Sequence, residues 1–193
     1  MNVNGIELPK LMEDLPRDNR GLPIPYVVLN DNNGCPHFKV NDTEKSLECI
    51  IKKLCNVCGK PLGNDMWMLG GPASAFHPEG VFNDPPVHKE CGVYSLKACP
   101  YLGKIRYNSK GPDIKDLMHI AQNSKVNAFV NNTQSNVKLP FFVLARTAGY
   151  RPNLHPIVIT ITPVRPFITI EFWKDGAQIP QPPMSEIAKL VFG

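Results

Sequence analysis

Two short cysteine-bearing pairs constrain this chain more than anything else in it. Cys55-Asn56-Val57-Cys58 is followed directly by Gly59, and Pro85-Pro86-Val87-His88-Lys89-Glu90-Cys91 comes later, with residues 59–87 between the pairs. Two closely spaced donor pairs at a wide separation form the pattern of a structural zinc site. A glycine after the second cysteine suits a tight turn that needs positive φ. His88 and Cys91 stand at i and i+3, so on a helix they face the same way. Cys55, Cys58, His88 and Cys91 are therefore the expected ligands of one Zn2+.

Other assignments meet physical objections of different strength. Cys99 lies more than two helical turns past Cys91, about 12 Å along a continuous helix. Metal–sulfur bonds of about 2.3 Å cannot bridge that, so Cys99 is read as a helix end packed on the core. His77 competes with His88 if the loop that carries it folds back. A redox Cys-x-x-Cys expects a strand before it and a helix after it, whereas here a glycine and a later His/Cys pair follow. The chain contains six cysteines, and Met1–Glu7 has no apolar signal segment. Both point to a reducing compartment, read as the cytoplasm, and to metal rather than three disulfides.

A length of 193 residues fits one domain, or a small domain with an appended lobe. The expected division is residues 1–103, with an arm, a hairpin, a helix and the zinc lobe, followed by an α+β lobe over 104–193. One continuous domain is the other option. A hydrophobic share of 42% with 20% charged residues belongs to a folded chain. The absence of any long apolar run excludes a helical membrane span. A net charge of +4 permits a nucleic-acid partner without demanding one. Twenty prolines predict much loop and extended backbone.

Residues 1–25 are rich in proline and glycine, and Arg17–Pro25 reads as an extended, exposed arm that carries Arg17 and Arg20. Tyr26–Asn30 and His37–Val40 read as strands joined by a turn at Asp31-Asn32-Asn33-Gly34. Cys35 begins the returning strand and is not a ligand. A helix follows, with Asn41, Asp42 and Thr43 as N-cap candidates and Asn41/Glu44 at capping-box spacing. Leu47, Ile50, Ile51 and Leu54 form its apolar stripe, and Cys49 beside it reads as a small buried thiol.

Met66–Leu69 reads as a strand, Gly70-Gly71-Pro72 as a turn, and Ala73–Phe76 as the returning strand of a hairpin. His77–Pro86 is a loop by its turn residues. A helix carrying His88 and Cys91 in its first turn comes next. The order turn, hairpin, loop and ligand-bearing helix is that of a treble-clef zinc finger.

The motifs Arg20-Gly21-Leu22-Pro23-Ile24-Pro25, Cys55-x-x-Cys58-Gly59-x-Pro61-Leu62-Gly63, Gly71-Pro72, Pro85-Pro86-x-His88-x-x-Cys91 and Cys99-Pro100-Tyr101-Leu102 resemble a group of uncharacterised bacteriophage, prophage and bacterial proteins. The likeness spans residues 17–102 and is weaker around Phe172-Trp173-Lys174-Asp175-Gly176. It implies the same four zinc ligands and a phage-associated or cytoplasmic setting, and it implies no activity. Residues 103–170 carry no such likeness.

Beyond Leu102, Ile114, Leu117, Met118 and Ile120 mark a short helix, and Asn123–Asn136 reads as a polar surface loop. Strands are expected at Leu139–Arg146, Ile157–Thr162 and Phe167–Trp173, with the last two joined around Pro163-Val164-Arg165-Pro166. Asp175-Gly176 is a turn, and Ser185–Phe192 is a terminal helix with Ser185 as N-cap. The fold class is thus α+β: a treble-clef zinc finger packed with a mostly antiparallel β-sheet and short helices.

No Gly-x-Ser-x-Gly elbow and no phosphate-cradling glycine loop occurs. One catalytic alternative survives, a treble-clef metal-dependent nuclease of the HNH type. It would use His77 as base, with Glu79, Asn83 or Asp84 holding a divalent metal. Hydrolysis at the zinc itself requires an open coordination position, which four protein ligands remove. A non-enzymatic binding or accessory protein fits better. Its partner is a protein or a nucleic acid. The nucleic-acid option rests on Arg17, Arg20, Lys60, Lys89, Lys104 and Arg106 interleaved with Tyr94, Tyr101 and Tyr107.

Overall fold

The structure is a computed structural model that describes residues 2–3, 5–103, 128–129, 139–154 and 159–193. Helices and antiparallel sheets alternate along it, an α+β arrangement. The element that organises the packing is a four-stranded sheet. Its strands are β5 (Trp67–Gly70), β7 (Phe142–Arg146), β10 (Thr169–Lys174) and β11 (Ala177–Ile179), in the order β11-β10-β7-β5. Every pairing in it is antiparallel.

Register explains which side chains meet. Trp67 lies opposite Arg146, which lies opposite Thr169; Leu69 lies opposite Leu144, which lies opposite Glu171. Side chains alternate across a strand. One face therefore presents Trp67, Leu69, Phe142, Leu144 and Trp173, which pack with Cys55, Cys58 and Cys91 in one core. The other presents Met68, Val143, Ala145 and Phe172, which pack with Phe82, Ile161, Ala75 and Ile187 in a second core. Covered on both faces, β7 is buried from Phe142 through Ala145, which is why it reads as an unbroken apolar run rather than an alternating one.

The first core is built on the Cys-bearing segment and α3 (Lys89–Ala98), which α4 (Pro100–Gly103) follows directly. The second is covered by α2 (Pro72–Phe76) and the terminal helix α5 (Met184–Phe192). Ala73–Phe76 is thus helical, not a returning strand. Pro72 sits at the first helical position, where its missing N–H costs nothing, and Gly71 supplies the extended cap. Strand β5 pairs with β7 instead. The terminal helix begins one residue before Ser185, and its N-cap is Pro183 with no side-chain cap bond.

Arg17–Pro25 is not an exposed arm, since Pro23 and Ile24 are buried. Strands β1 (Asn2–Val3) and β2 (Ile6–Glu7) pair, and a 3-10 turn at Lys10–Met12 follows. Leu8 and Met12 are buried in the core that holds the cysteines. The Arg17–Pro23 turn is held from inside by Asp18, whose carboxylate accepts from the Arg20 and Leu22 amides at 2.9 Å each. The apolar residues between the prolines have somewhere to go, so the segment folds down.

The expected hairpin is present as β3 (Val28–Asn30) and β4 (Pro36–Asp42), with an irregularity between Val28 and Leu29. Asp31 closes its loop by accepting from the Asn33 and Cys35 amides. Helix α1 (Thr43–Lys52) is capped by Asp42, which accepts from Lys45 N at 3.1 Å. Its buried face is Thr43, Ser46, Cys49 and Ile50, while Ile51 is 72% exposed. The stripe turns because Lys53 adopts a left-handed conformation and ends the helix, taking Leu54 off it.

Strand β6 (Ala128–Phe129) pairs with Asn41–Asp42, inside a stretch expected to be loop. Strand β8 (Tyr150–Leu154), absent from the sequence reading because Pro152 interrupts it, pairs with β9 (Ile159–Pro163). Strands β9 and β10 consequently belong to different sheets. At Asp175-Gly176, φ values of 51° and 80° make the tight β10–β11 hairpin. The helix expected over 111–120, and Lys104, Arg106 and Tyr107, lie outside the described residues.

Candidate metal centre

The Cys-x-x-Cys-Gly segment is a backbone turn before it is anything else. Cys55 N donates to Lys60 O, and Gly59 N donates to Cys55 O, both at 2.8 Å. Gly59 has φ +70°, and a Cβ there would lie 2.7 Å from the Tyr26 ring. Glycine is required on both counts. Tyr26 N donates to Val57 O, so the segment leading into β3 lies along the turn.

The second donor pair is delivered by a β-bridge. Val87 and Trp67 exchange both backbone hydrogen bonds. His88, the next residue, is the extended N-cap of α3, at φ −67° and ψ 151°, rather than part of its first turn. Cys91 follows on the first turn, fully buried.

Side chains then converge. The ligand atoms of Cys55, Cys58, His88 and Cys91 all lie within 4.8 Å of one another. Metal–sulfur bonds of about 2.3 Å in a tetrahedron place donors roughly 4 Å apart, so the set could hold one metal ion. His88 Nδ1 lies 3.4 Å from Cys58 Sγ, and His88 Nε2 lies 3.0 Å from Pro61 O. With Nε2–H donating to that carbonyl, Nδ1 is left as the metal-facing nitrogen, a support of the kind that orients ligating histidines. The His88 amide also points at Cys55 Sγ, 3.4 Å away. Cys55 and Cys91 are 0% exposed, Cys58 7% and His88 9%.

The electrostatics suit a cation. Burial opposes charge on the Cys55 sulfur, yet hydrogen bonds from Cys58, Cys91 and His88 hold its pKa below the ordinary thiol range. The hydrogen bond to Cys55 pushes Cys58 up to about 11, and bonds to Cys55 and Cys58 push Cys91 upward. His88 is raised by its bond to Cys55, against burial. One sulfur takes a charge that its neighbours resist. A divalent cation reverses that order, because a coordinating thiol is deprotonated outright.

The comparisons add no relative. No protein-family model, curated protein or solved structure matches this chain.

The remaining sequence candidates sit elsewhere. His77 accepts from the Glu79 amide at 3.1 Å and packs on Phe192 of α5, with the second core and across the sheet from the cysteines. Its loop is pinned there by Arg165, which donates to Ser74 O and Gly80 O. Asp84 accepts from Asn41 Nδ2 at 2.7 Å. Among the described residues, His77, Glu79 and Asp84 join no group able to hold a metal. Cys99 is the C-cap of α3, and Cys35 is exposed. Cys49 is fully buried, with its thiol pushed up to about 12 by burial and then by the neighbouring Cys55.

The basic-aromatic surface is less open than its sequence implies. Tyr94 is buried at 4% exposure. Lys60 pairs with Asp14, Arg20 with Asp18, and Lys89 with Glu171. Sequence reasoning missed Pro61 O, Asp65 and Glu171, which support the centre from outside. Only the Pro-Leu-Gly run after the cysteines marks the first of these in the sequence. No described helix is long and apolar enough to cross a membrane.

Proposed function

We propose that this chain is a non-enzymatic binding or accessory protein whose Cys55, Cys58, His88 and Cys91 close around one structural Zn2+ in a treble-clef arrangement. The observation that carries the reading is the closure of the site. Three thiols and one imidazole are buried together, and the second imidazole nitrogen is spent on Pro61 O. A zinc with four protein ligands has no position for water or substrate, so it supplies folding free energy rather than chemistry.

A protein partner suits the surface better than nucleic acid. Three of the six candidate cations, Lys60, Arg20 and Lys89, are engaged by Asp14, Asp18 and Glu171, and Tyr94 has no face to offer a base. The motifs shared with phage and prophage proteins favour a factor of the host cytoplasm as that partner. The test is capture of partners from bacterial lysate on the zinc-loaded chain, run beside filter binding to single- and double-stranded DNA and RNA across a salt series. A specific protein retained by the wild type and lost by a Cys91→Ser variant supports the reading. Steeply salt-dependent nucleic-acid binding would replace it.

A further inference from the structure

The three residues Val87, His88 and Lys89 are each anchored to a different part of the molecule. Val87 is bonded through its backbone to Trp67 of β5. His88 supplies a donor to the metal centre. Lys89 Nζ lies 2.7 Å from Glu171 Oε1, on β10 in the interior of the sheet. Glu171 has only 9% side-chain exposure, whereas Lys89 has 50%. A buried carboxylate depends on its counter-ion far more than an exposed lysine does.

The surrounding bonds hold this short segment in one register. Asp65 Oδ2 accepts from the Lys89 amide at 3.3 Å, and Asp65 Oδ1 accepts from Trp67 Nε1 at 2.7 Å. Lys89 Nζ sits 5.0 Å over the Trp67 ring. On the far side, Trp173 Nε1 donates to Glu171 Oε2 at 3.2 Å. Both tryptophans of the chain therefore touch the link between the centre and the sheet. Lys89 also begins α3, so its position follows from where His88 is held.

We infer that metal loading at the Cys3His centre sets the counter-ion of the buried Glu171, so that metal occupancy controls the packing of β10 and its hairpin partner β11. The inference rests on the metal reading of the centre. Loading fixes His88, His88 fixes Lys89, and Lys89 neutralises Glu171. Loss of the ion releases the His88 side chain between the two fixed neighbours, Val87 on Trp67 and the Lys89 amide on Asp65, and so loosens the hold of Lys89 on Glu171. The device converts metal occupancy into order at a sheet edge on a strand that carries no ligand.

Amide hydrogen exchange on the full chain, with zinc content measured in each sample, tests this. Removing zinc from the wild type with a chelator speeds exchange in β10 and β11 by about tenfold or more beyond the general increase that β7 reports. Lys89→Met retains zinc and yet shows the same fast exchange in β10. In Glu171→Gln, chelation accelerates β10 no more than β7, because no charge is left unpaired. Unchanged β10 exchange on chelation, or wild-type protection in zinc-loaded Lys89→Met, overturns the inference alone. So does equal loss of protection everywhere on chelation, which would make the metal a general staple. A wild-type chain that binds no zinc removes both the inference and the reading beneath it.

Discussion

Val87 N donates to Trp67 O at 2.8 Å, and Trp67 N donates to Val87 O at 3.0 Å, one residue before the histidine of the metal centre. This reciprocal pair joins the outer edge of the sheet to the start of α3. It places His88 opposite the cysteine turn although the rest of β5, all of α2 and a loop intervene in the chain. The same bridge occupies backbone groups of an edge strand that would otherwise invite another chain to pair.

Metal analysis of the purified chain is expected to find one zinc per molecule. Cys55→Ser and Cys91→Ser each lose it and lower stability by several kcal/mol, since metal affinity here is folding free energy. Cys99→Ser and Cys35→Ser keep it. Full zinc retention in both Cys55→Ser and Cys91→Ser would show that the ion sits elsewhere.

Gly59→Ala and Gly63→Ala form a matched pair. Both positions have positive φ, but a Cβ at Gly59 meets the Tyr26 ring at 2.7 Å, whereas one at Gly63 meets nothing within 4 Å. Strain alone costs about 1 kcal/mol at such positions. Urea unfolding is expected to place Gly63→Ala near that figure and Gly59→Ala about 1–2 kcal/mol beyond it. Equal losses would mean that the ring moves aside freely.

Two carboxylates should pull stability in opposite directions with pH. Against burial, hydrogen bonds from Arg20 and Leu22 hold the Asp18 carboxyl below the usual carboxylate range. Its contribution is present above the unfolded carboxylate pKa and is lost as pH falls through the folded one. Burial pushes Asp84 up, with the Asn41 bond opposing. Its contribution is present below the unfolded pKa and is lost as pH rises through the folded one. Unfolding measured between pH 3 and 7 checks the signs. Asp18→Asn should fall behind wild type as pH rises, and Asp84→Asn should draw ahead. Comparison with wild type cancels the acid release of metal common to all three.

A plasmid incubated with the chain and magnesium or manganese should stay intact, and His77→Ala should change nothing. His77 lies with the second core, and its ring nitrogen already accepts from Glu79. Metal-dependent cleavage abolished by His77→Ala would restore the nuclease alternative.

The Cys55, Cys58, His88 and Cys91 cluster was legible in the sequence because metal-binding chemistry fixes both residue type and spacing. Cys-x-x-Cys-Gly dictates a turn, whereas the shared helix face expected of His88 and Cys91 is replaced by an extended N-cap at His88 and a first helical turn at Cys91. The β3–β4 hairpin and the Asp175-Gly176 turn were legible for the same reason, since local backbone conformation selects the residues. What depended on distant partners was not. Ala73–Phe76 suits strand or helix about equally until Pro72 and the second core choose helix. Ile51 looked buried because the stripe on α1 continued through Leu54, and only the left-handed Lys53 breaks it. The arm reads as exposed because its prolines are local, whereas the burial of Ile24 depends on the fold of the turn that carries it, held by Ile24 N donating to Pro16 O.

Strand β5 pairs with β7, whose first residue, Phe142, lies far beyond Gly70 in the chain. The four residues that could hold a metal ion span only Cys55 to Cys91. Closing the longer loop carries the larger entropic cost and is slower. With the proposed zinc in place, the 55–91 loop would be closed before β7 pairs, and β7 and β10 would then complete the core around the cysteines.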